Sequence, residues 1–327
     1  MDRLAARPGT LMADFLSILE FSFSVTGPIF VILLLGVWLR RIGLITEPFI
    51  DAGSKLVFNV ALPALLFISI ATTDFDDAAN AGLILYGLLA TAVIFIALEL
   101  LASRSVHPRE DRGVVVQGAF RSNMGIVGLA YCVNAYGEAG LVAASLYLGL
   151  VTILYNVLAV ITLNRSLAKR RGVGGMVKGI FTNPLIIGIV LALPVSYFEI
   201  RLPSLVLQSG RYFADMTLPL ALLCTGASLN FASLRDAMSN TFQAAGLKLV
   251  LVPLLMTAGG IMVGFRGIEL GVLMLMSSAP TAAASYVMVR AMGGNATLAA
   301  NIIALTTLGS IIATSAGITL LRGAGLM

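Results

Sequence analysis

Apolar residues in this chain fall in long unbroken runs, without the alternation of a half-buried strand or the stripe of a surface helix. Ten such segments lie near 17–40, 54–73, 81–102, 113–136, 139–163, 177–197, 204–229, 241–264, 269–292 and 296–321. Each matches the ~20 residues of helix needed to cross a hydrocarbon core of ~30 Å. Helix is the required form, because in lipid every backbone N–H and C=O must bond within its own segment. The pattern predicts an all-α polytopic membrane protein with ten transmembrane helices. The weakest segment is 204–229, which carries Gln208, Arg211 and Asp215. The longest obvious break, "NRSLAKRRGVGG" at 164–175, is a basic loop. The expected organisation is an external tail over 1–16, one block over 17–163, a cytoplasmic loop over 164–176 and a second block over 177–327.

Composition agrees. Hydrophobic residues make up 58% and charged residues 11%, against roughly 45–50% and 25% in soluble domains. Twenty-one Lys+Arg and sixteen Asp+Glu cannot coat a water-soluble particle of 327 residues. The net charge of +5 reads as membrane orientation, and no nucleic-acid partner is expected. Thirteen basic residues, among them Arg40, Arg104, Arg112 and Arg171, fall on one side of the segments and six on the other. The acidic "TDFDD" at 73–77 lies on the poorer side. The positive-inside bias then puts both termini outside the cytoplasm, in the plasma (inner) membrane. The N-terminal "MDRLAARPGTLMADF" lacks the cleavage pattern of a signal peptide, and Met12 is an alternative start.

Several chemistries lack their residues. His107 is the one histidine, in the charged stretch "SRSVHPRED", so no zinc site or histidine relay is expected. No Walker motif is present, and "GAFRSNMG" follows no strand, so it is not a dinucleotide fingerprint. Cys132 and Cys224 sit inside apolar segments as small core residues, not as a disulfide framework. The expectation is no enzyme, no cofactor and no metal.

The two blocks repeat. "TGPIFVILLLG" from Thr26 and "TNPLIIGIVLA" from Thr182 lie 156 residues apart, as do "LPALLFISIATTDF" from Leu62 and "LPLALLCTGASLNF" from Leu218. "YGEAGLVAASL" from Tyr136 and "GGNATLAANII" from Gly293 lie 157 apart. Five helices per block is an odd number, so the second block enters from the opposite face. Two inverted five-helix repeats are a mark of secondary transporters, which alternate access to a central site. Within "GAFRSNMGIVG" (118–128), Arg121, Ser122 and Asn123 interrupt the fourth helix, and adding 157 to Asn123 gives Pro280 in "SSAPTAAAS". Both lie ~17–20 Å into their segments at 1.5 Å per residue. Pro280 opens the ninth helix by lacking an N–H and clashing with the carbonyl four residues back. The glycines and the self-bonding side chains of Ser122 and Asn123 open the fourth. Crossing broken helices 4 and 9 present half-helix N-termini, which attract anions.

The stretches "FNVALPALLF", "GAFRSNMGIVGL", "TNPLIIG", "LPLALLCTGASL", "KLVLVP" and "APTAAASYVMVRAMGG", in that order, resemble the auxin efflux carrier family in its bacterial, malonate- or malate-permease-like branch. The resemblance runs from about Ser17 onward. It implies a scaffold of helices 1, 2, 6 and 7, a transport unit of helices 3–5 and 8–10, a homodimer, and a substrate site at the crossover of helices 4 and 9. Plant members carry a long cytosolic loop between helices 5 and 6, where this chain has a short basic one.

The expected substrate-binding residues are Asn123, Arg121, Ser122, Gly125, Pro280, Thr281 and Asn59. A mid-membrane arginine costs ~2.5–3.5 kcal/mol on insertion scales. Arg121 is therefore expected to contact a substrate anion, to pair with an acid, or to reach back to the interface. Asn123, a neutral amide at the break, can donate to a carboxylate. Asn59 and Asp215 each precede a proline by four residues (Pro63, Pro219), and either satisfies a freed carbonyl or serves transport. Asp215, Lys248 and Glu99 are the coupling or charge-balancing candidates, with Asp215 a carrier for a coupling proton and Lys248 either a balance for Asp215 or Glu99 or an attractor of the anion. The expected function is a secondary transporter of small organic anions, mono- or dicarboxylates, by alternating access. A sodium-coupled symporter or sodium/proton antiporter of related fold stays open, though its paired carboxylates are missing from the crossover. A channel or an anion-sensing receptor is the alternative of another class.

Overall fold

A computed structural model describes residues 8–72, 81–167, 182, 184–228 and 238–327. All regular structure among these is helical. In chain order the helices are α1 (Pro8–Arg41), α2 (Glu47–Leu56), α3 (Leu62–Ala71), α4 (Ala81–Ser105), α5 (Arg109–Phe120), α6 (Leu129–Leu167), α7 (Pro184–Tyr197), α8 (Ser204–Ser228), α9 (Met238–Gly246), α10 (Val252–Val263), α11 (Gly267–Ser278), α12 (Ala284–Met292) and α13 (Ala296–Gly323). Three wider π-helical turns intervene, at Val57–Ala61, Met124–Gly128 and Leu247–Leu251. Two of them have a simple cause. Pro63 and Pro253 each stand two residues beyond the turn, and a proline leaves the carbonyl four residues back without its N–H donor. The helix widens by one residue to pass that gap.

Among the described residues, six helical stretches are long and apolar enough to cross a membrane: Phe23–Arg41, Glu47–Ala71, Ala81–Ser105, Met124–Leu167, Ser239–Val263 and Ala296–Gly323. Ten such spans were expected, and each remaining segment differs for a visible reason. Segments 113–136 and 269–292 are broken in the middle, leaving α5 and α11 as short pieces of twelve residues each. Segment 204–229 is continuous helix over its described residues, α8, diluted by Gln208, Arg211 and Asp215. Segment 177–197 is helical from Pro184, with 168–181 and 183 outside the described residues. Most of the basic stretch 164–175 and the acidic 73–77 also lie outside them. The chain is already helical from Pro8, the first described residue, inside the stretch expected to be a tail.

The outward face of α4 explains why no amphipathic stripe is legible. Leu85, Leu89, Val93, Ile96 and Leu100 are exposed while Leu83, Ile94, Phe95 and Leu98 are buried. Both faces are apolar, as a helix between protein and lipid requires.

α1 packs most extensively on α8, α3 on α7, and α5 on α6. The α1–α8 crossing is close because it is lined by glycine. A Cβ on Gly226 would overlap the Leu33 carbonyl, and one on Gly36 the Leu223 carbonyl. Small residues at such crossings let backbones approach where lipid gives no hydrophobic drive for helix association. α6 is kinked at Gly137, whose φ of 61° and ψ of −137° suit only glycine. At the start of α5 the buried Asp111 accepts from the amides of Asn240 on α9 (3.2 Å) and Asn295 (3.1 Å). Asn295 in turn caps α13 through Leu298 N. One carboxylate thus ties three helices and complements the N-terminal dipole of α5.

Candidate functional site

The two broken segments meet. α5 ends at Phe120, and the chain runs extended through Arg121 (φ −82°, ψ 91°) before the turn at Met124. α11 ends at Ser278, and Ala279 (φ −55°, ψ 144°) turns the chain out of the helix. Residues 121–123 and 280–282 then lie antiparallel. Asn123 N donates to Pro280 O (2.7 Å), Ala282 N donates to Arg121 O (2.9 Å), and Ser122 bridges to Thr281. Each break satisfies the other's backbone, which is the condition for irregular chain at membrane depth. The pair Asn123 and Pro280 is the one picked out by the repeat offset. Thr281 donates from Oγ1 to Gly118 O (2.6 Å) and from its backbone N–H to Thr306 Oγ1 (3.1 Å).

Two cations flank this joint. Lys248, in the turn between α9 and α10, is 0% exposed; its Nζ donates to Ser122 Oγ and to Ser277 O (2.8 Å). Ser122 Oγ also donates to Ser277 O (3.2 Å). The ammonium therefore sits on the C-terminal end of α11, where the helix dipole favours positive charge. Arg121, 6% exposed, stands at the C-terminal end of α5 and donates through Nη2 to Asn156 Oδ1 (2.6 Å) and through Nη1 to the Met288 sulfur. The Tyr155 phenol lies beside Ser122 and Arg121. Neither cation pairs with a carboxylate: among the described residues the ion pairs are Arg40–Glu47 and Arg165–Glu99. The acid partner expected for Arg121 is replaced by an amide, and the guanidinium bonds to Asn156 and Met288 instead of reaching back to the interface.

Asn123 is 8% exposed, and its side-chain amide makes no hydrogen bond to the described residues. It leads into the turn Met124–Gly128, accepting on its carbonyl from Val127 N and Gly128 N. The first N–H groups of that turn have no acceptor within it. Gly125 is half-buried, and a Cβ there would make ordinary contact with Leu62 at 3.4 Å. Both half-helix C-termini at the joint carry a resident cation, while the helical turns that restart at Met124 and Ala284 carry none among the described side chains.

The other candidates lie elsewhere. Asn59 is exposed in the Val57–Ala61 turn, its amide bonded to its own helix at Lys55 O (2.8 Å). Asp215 is exposed on α8. Glu99 is held by Arg165 (3.2 Å) and Thr162. Lys248 consequently balances neither acid. Sequence reasoning missed Asn156, Met288 and Ser277 as partners of the two cations. Asn156 left a signal, a lone amide in an apolar run; Met288 and a backbone carbonyl left none. Cys132 and Cys224 are free and buried.

A family model described as membrane transport protein matches residues 23–317, which is most of the chain. The chain belongs to this membrane transporter family. It is the family of the auxin efflux carriers that the six motifs resemble. Among its relatives, an uncharacterized transporter of Methanothermobacter thermautotrophicus is 26% identical over 262 residues, covering 78% of this chain and 83% of the relative. An uncharacterized transporter of Methanocaldococcus jannaschii is 23% identical over 274 residues, covering 80% and 86%. With its long apolar helices, the chain is a multi-pass membrane protein of that family.

Proposed function

We propose that this transporter is a secondary carrier of small organic anions, mono- or dicarboxylates, with the joint of the two broken segments as its substrate site. The observation that carries the reading is the charge at the joint: two buried cations, Arg121 and Lys248, bonded to neutral acceptors alone. A buried charge is costly unless compensated, and a bound carboxylate supplies the compensation. The cations hold the C-termini of the two half-helices, so the N-terminal turn at Met124 and the unpartnered Asn123 amide are left to receive the anion. Ser122 and Thr281 have their hydroxyls engaged, so their role is to hold the joint; Gly125 leaves the approach open. Lys248, already seated on an oxygen pair at the broken backbone, occupies the kind of place an exchangeable cation would take. That favours a carrier driven by a proton gradient or by exchange over sodium coupling.

The same reading includes ten spans in two inverted five-helix repeats, with α5 and the turn at Met124 in the fourth span and α11 with α12 in the ninth. The two repeat offsets and the contact of Asn123 with Pro280 support it. Scaffold and transport unit, homodimeric assembly, and external termini in the plasma membrane follow as part of the proposal. Uptake by purified protein in liposomes, across a panel of mono- and dicarboxylates with pH, sodium or no gradient, tests it. The expected result is saturable carboxylate uptake that does not need sodium. Strict sodium dependence, or preference for neutral or cationic solutes, would overturn it.

A further inference from the structure

At one end of the bundle, away from the joint, the last turns of α4, the first turns of α5 and the end of α6 enclose a cavity of ≈ 350 Å³. Its rim holds Arg109, Arg112 and Arg165, and its single acid is Glu99. That acid is already committed: Arg165 pairs with it at 3.2 Å and Thr162 donates to it. Arg109 spends one N–H on Arg165 O (3.3 Å) and Arg112 one on Val106 O (3.1 Å). A guanidinium has five N–H donors, so most of the fork on each remains available on a rim with two positive charges in excess. The inner wall is apolar, from Phe95 and Val116. Phe120 closes it off from Arg121, stacking edge-on against both Phe95 and Tyr155 at 5.4 Å between centroids. This cavity is therefore separate from the crossover.

Its outer wall is the decisive feature. Ile96 and Leu100 line the cavity and also belong to the exposed stripe Leu85–Leu89–Val93–Ile96–Leu100 along α4. An anionic rim-binder with an apolar tail fits both surfaces at once. We propose that this groove binds an anionic phospholipid, its phosphodiester on Arg109 and Arg112 and one acyl chain along the α4 stripe. Arginine forks suit phosphate oxygens, and basic pockets between transmembrane helices hold such headgroups. A free phosphate would leave the apolar stripe unused, and a zwitterionic lipid would bring its own cation to a rim that is already positive. Because α4, α5 and α6 all touch the bound lipid, its headgroup would brace the helices that carry Arg121 and Asn156.

The test is native mass spectrometry of the purified full-length protein in zwitterionic detergent, titrated with phosphatidylglycerol or phosphatidylcholine of equal chain length. Retention of phosphatidylglycerol should exceed that of phosphatidylcholine tenfold or more. Each arginine near an anionic headgroup contributes about fivefold, from ~1 kcal/mol per basic residue. Arg109→Gln with Arg112→Gln should therefore bring phosphatidylglycerol down to the phosphatidylcholine level, while Arg41→Gln, outside the groove, should change nothing. Ser103→Trp fills the groove with every arginine in place and should also displace the lipid, which guards against misfolding of the double variant. Equal retention of the two lipids would overturn the proposal. So would undiminished phosphatidylglycerol in both groove variants, or displacement by millimolar inorganic phosphate, which would assign the rim to a free anion.

Discussion

Replacing Lys248 by methionine removes one positive charge and keeps almost the same length of apolar stem. In the folded protein the ammonium is fully buried and donates to Ser122 Oγ and Ser277 O. Those acceptors are not abandoned by the change, because Ser122 Oγ still donates to Ser277 O. The lost hydrogen bonds, ~1.5–3 kcal/mol for a charged donor, are offset by relief from burying an unpaired cation. Folding stability should therefore move by no more than about 1 kcal/mol, a few degrees in Tm. Substrate affinity should respond differently. A carboxylate received by Asn123 lies one residue beyond Ser122, roughly 6–8 Å from the ammonium by chain and hydrogen-bond lengths. At an effective dielectric of about 20 the attraction is ~2–3 kcal/mol, so removing it weakens anion binding roughly thirty- to a hundredfold. Binding in detergent by calorimetry, with thermal unfolding run alongside, separates the two effects. If Lys248→Met binds carboxylates as tightly as the parent, the ammonium serves only the α11 dipole, and the charge argument for an anion site fails. A fall in stability with affinity unchanged in the folded fraction would point the same way.

Other substitutions divide the site further. Asn123→Ala removes an amide with no partner among the described residues, so stability should hold while binding weakens about ten- to a hundredfold, a bond to a charged group being worth ~1.5–3 kcal/mol; full affinity would reduce Asn123 to a helix breaker. Arg121→Lys keeps the charge but loses the fork that reaches both Asn156 and Met288. Expression near the parent level with weakened uptake is expected, whereas Arg121→Ala should lower Tm because the half-buried Asn156 Oδ1 loses its charged donor, about 1 kcal/mol. Gly226→Ala drives a methyl into the Leu33 carbonyl across the α1–α8 crossing and should destabilise by ~1–3 kcal/mol; unchanged thermal unfolding would show that the helices separate freely. Asp215→Asn, on the exposed face of α8, should spare substrate binding, and loss of pH-gradient-driven accumulation with exchange intact would instead assign the coupling proton to it.

The sequence alone determined the solvent, the helical class and the place of the break. Long runs without amphipathic stripes require lipid, lipid requires helix, and polar residues at 121–123 and a proline at 280 forbid continuous helix at matching depth. The repeat offset even paired Asn123 with Pro280, the residues whose backbones bond at 2.7 Å. Side-chain partnership was decided by the tertiary structure. Lys248 reaches Ser122 across 126 residues of chain and Arg121 reaches Asn156 across 35, distances over which no periodicity carries information. Asn59 and Asp215 show the converse. Their spacing before Pro63 and Pro219 marks equivalent positions, yet both side chains lie on exposed faces. In a membrane helix both faces are apolar, so hydropathy cannot say which one turns inward. Only packing against neighbouring helices fixes that rotation, and with it which charges end at the joint and which at the surface.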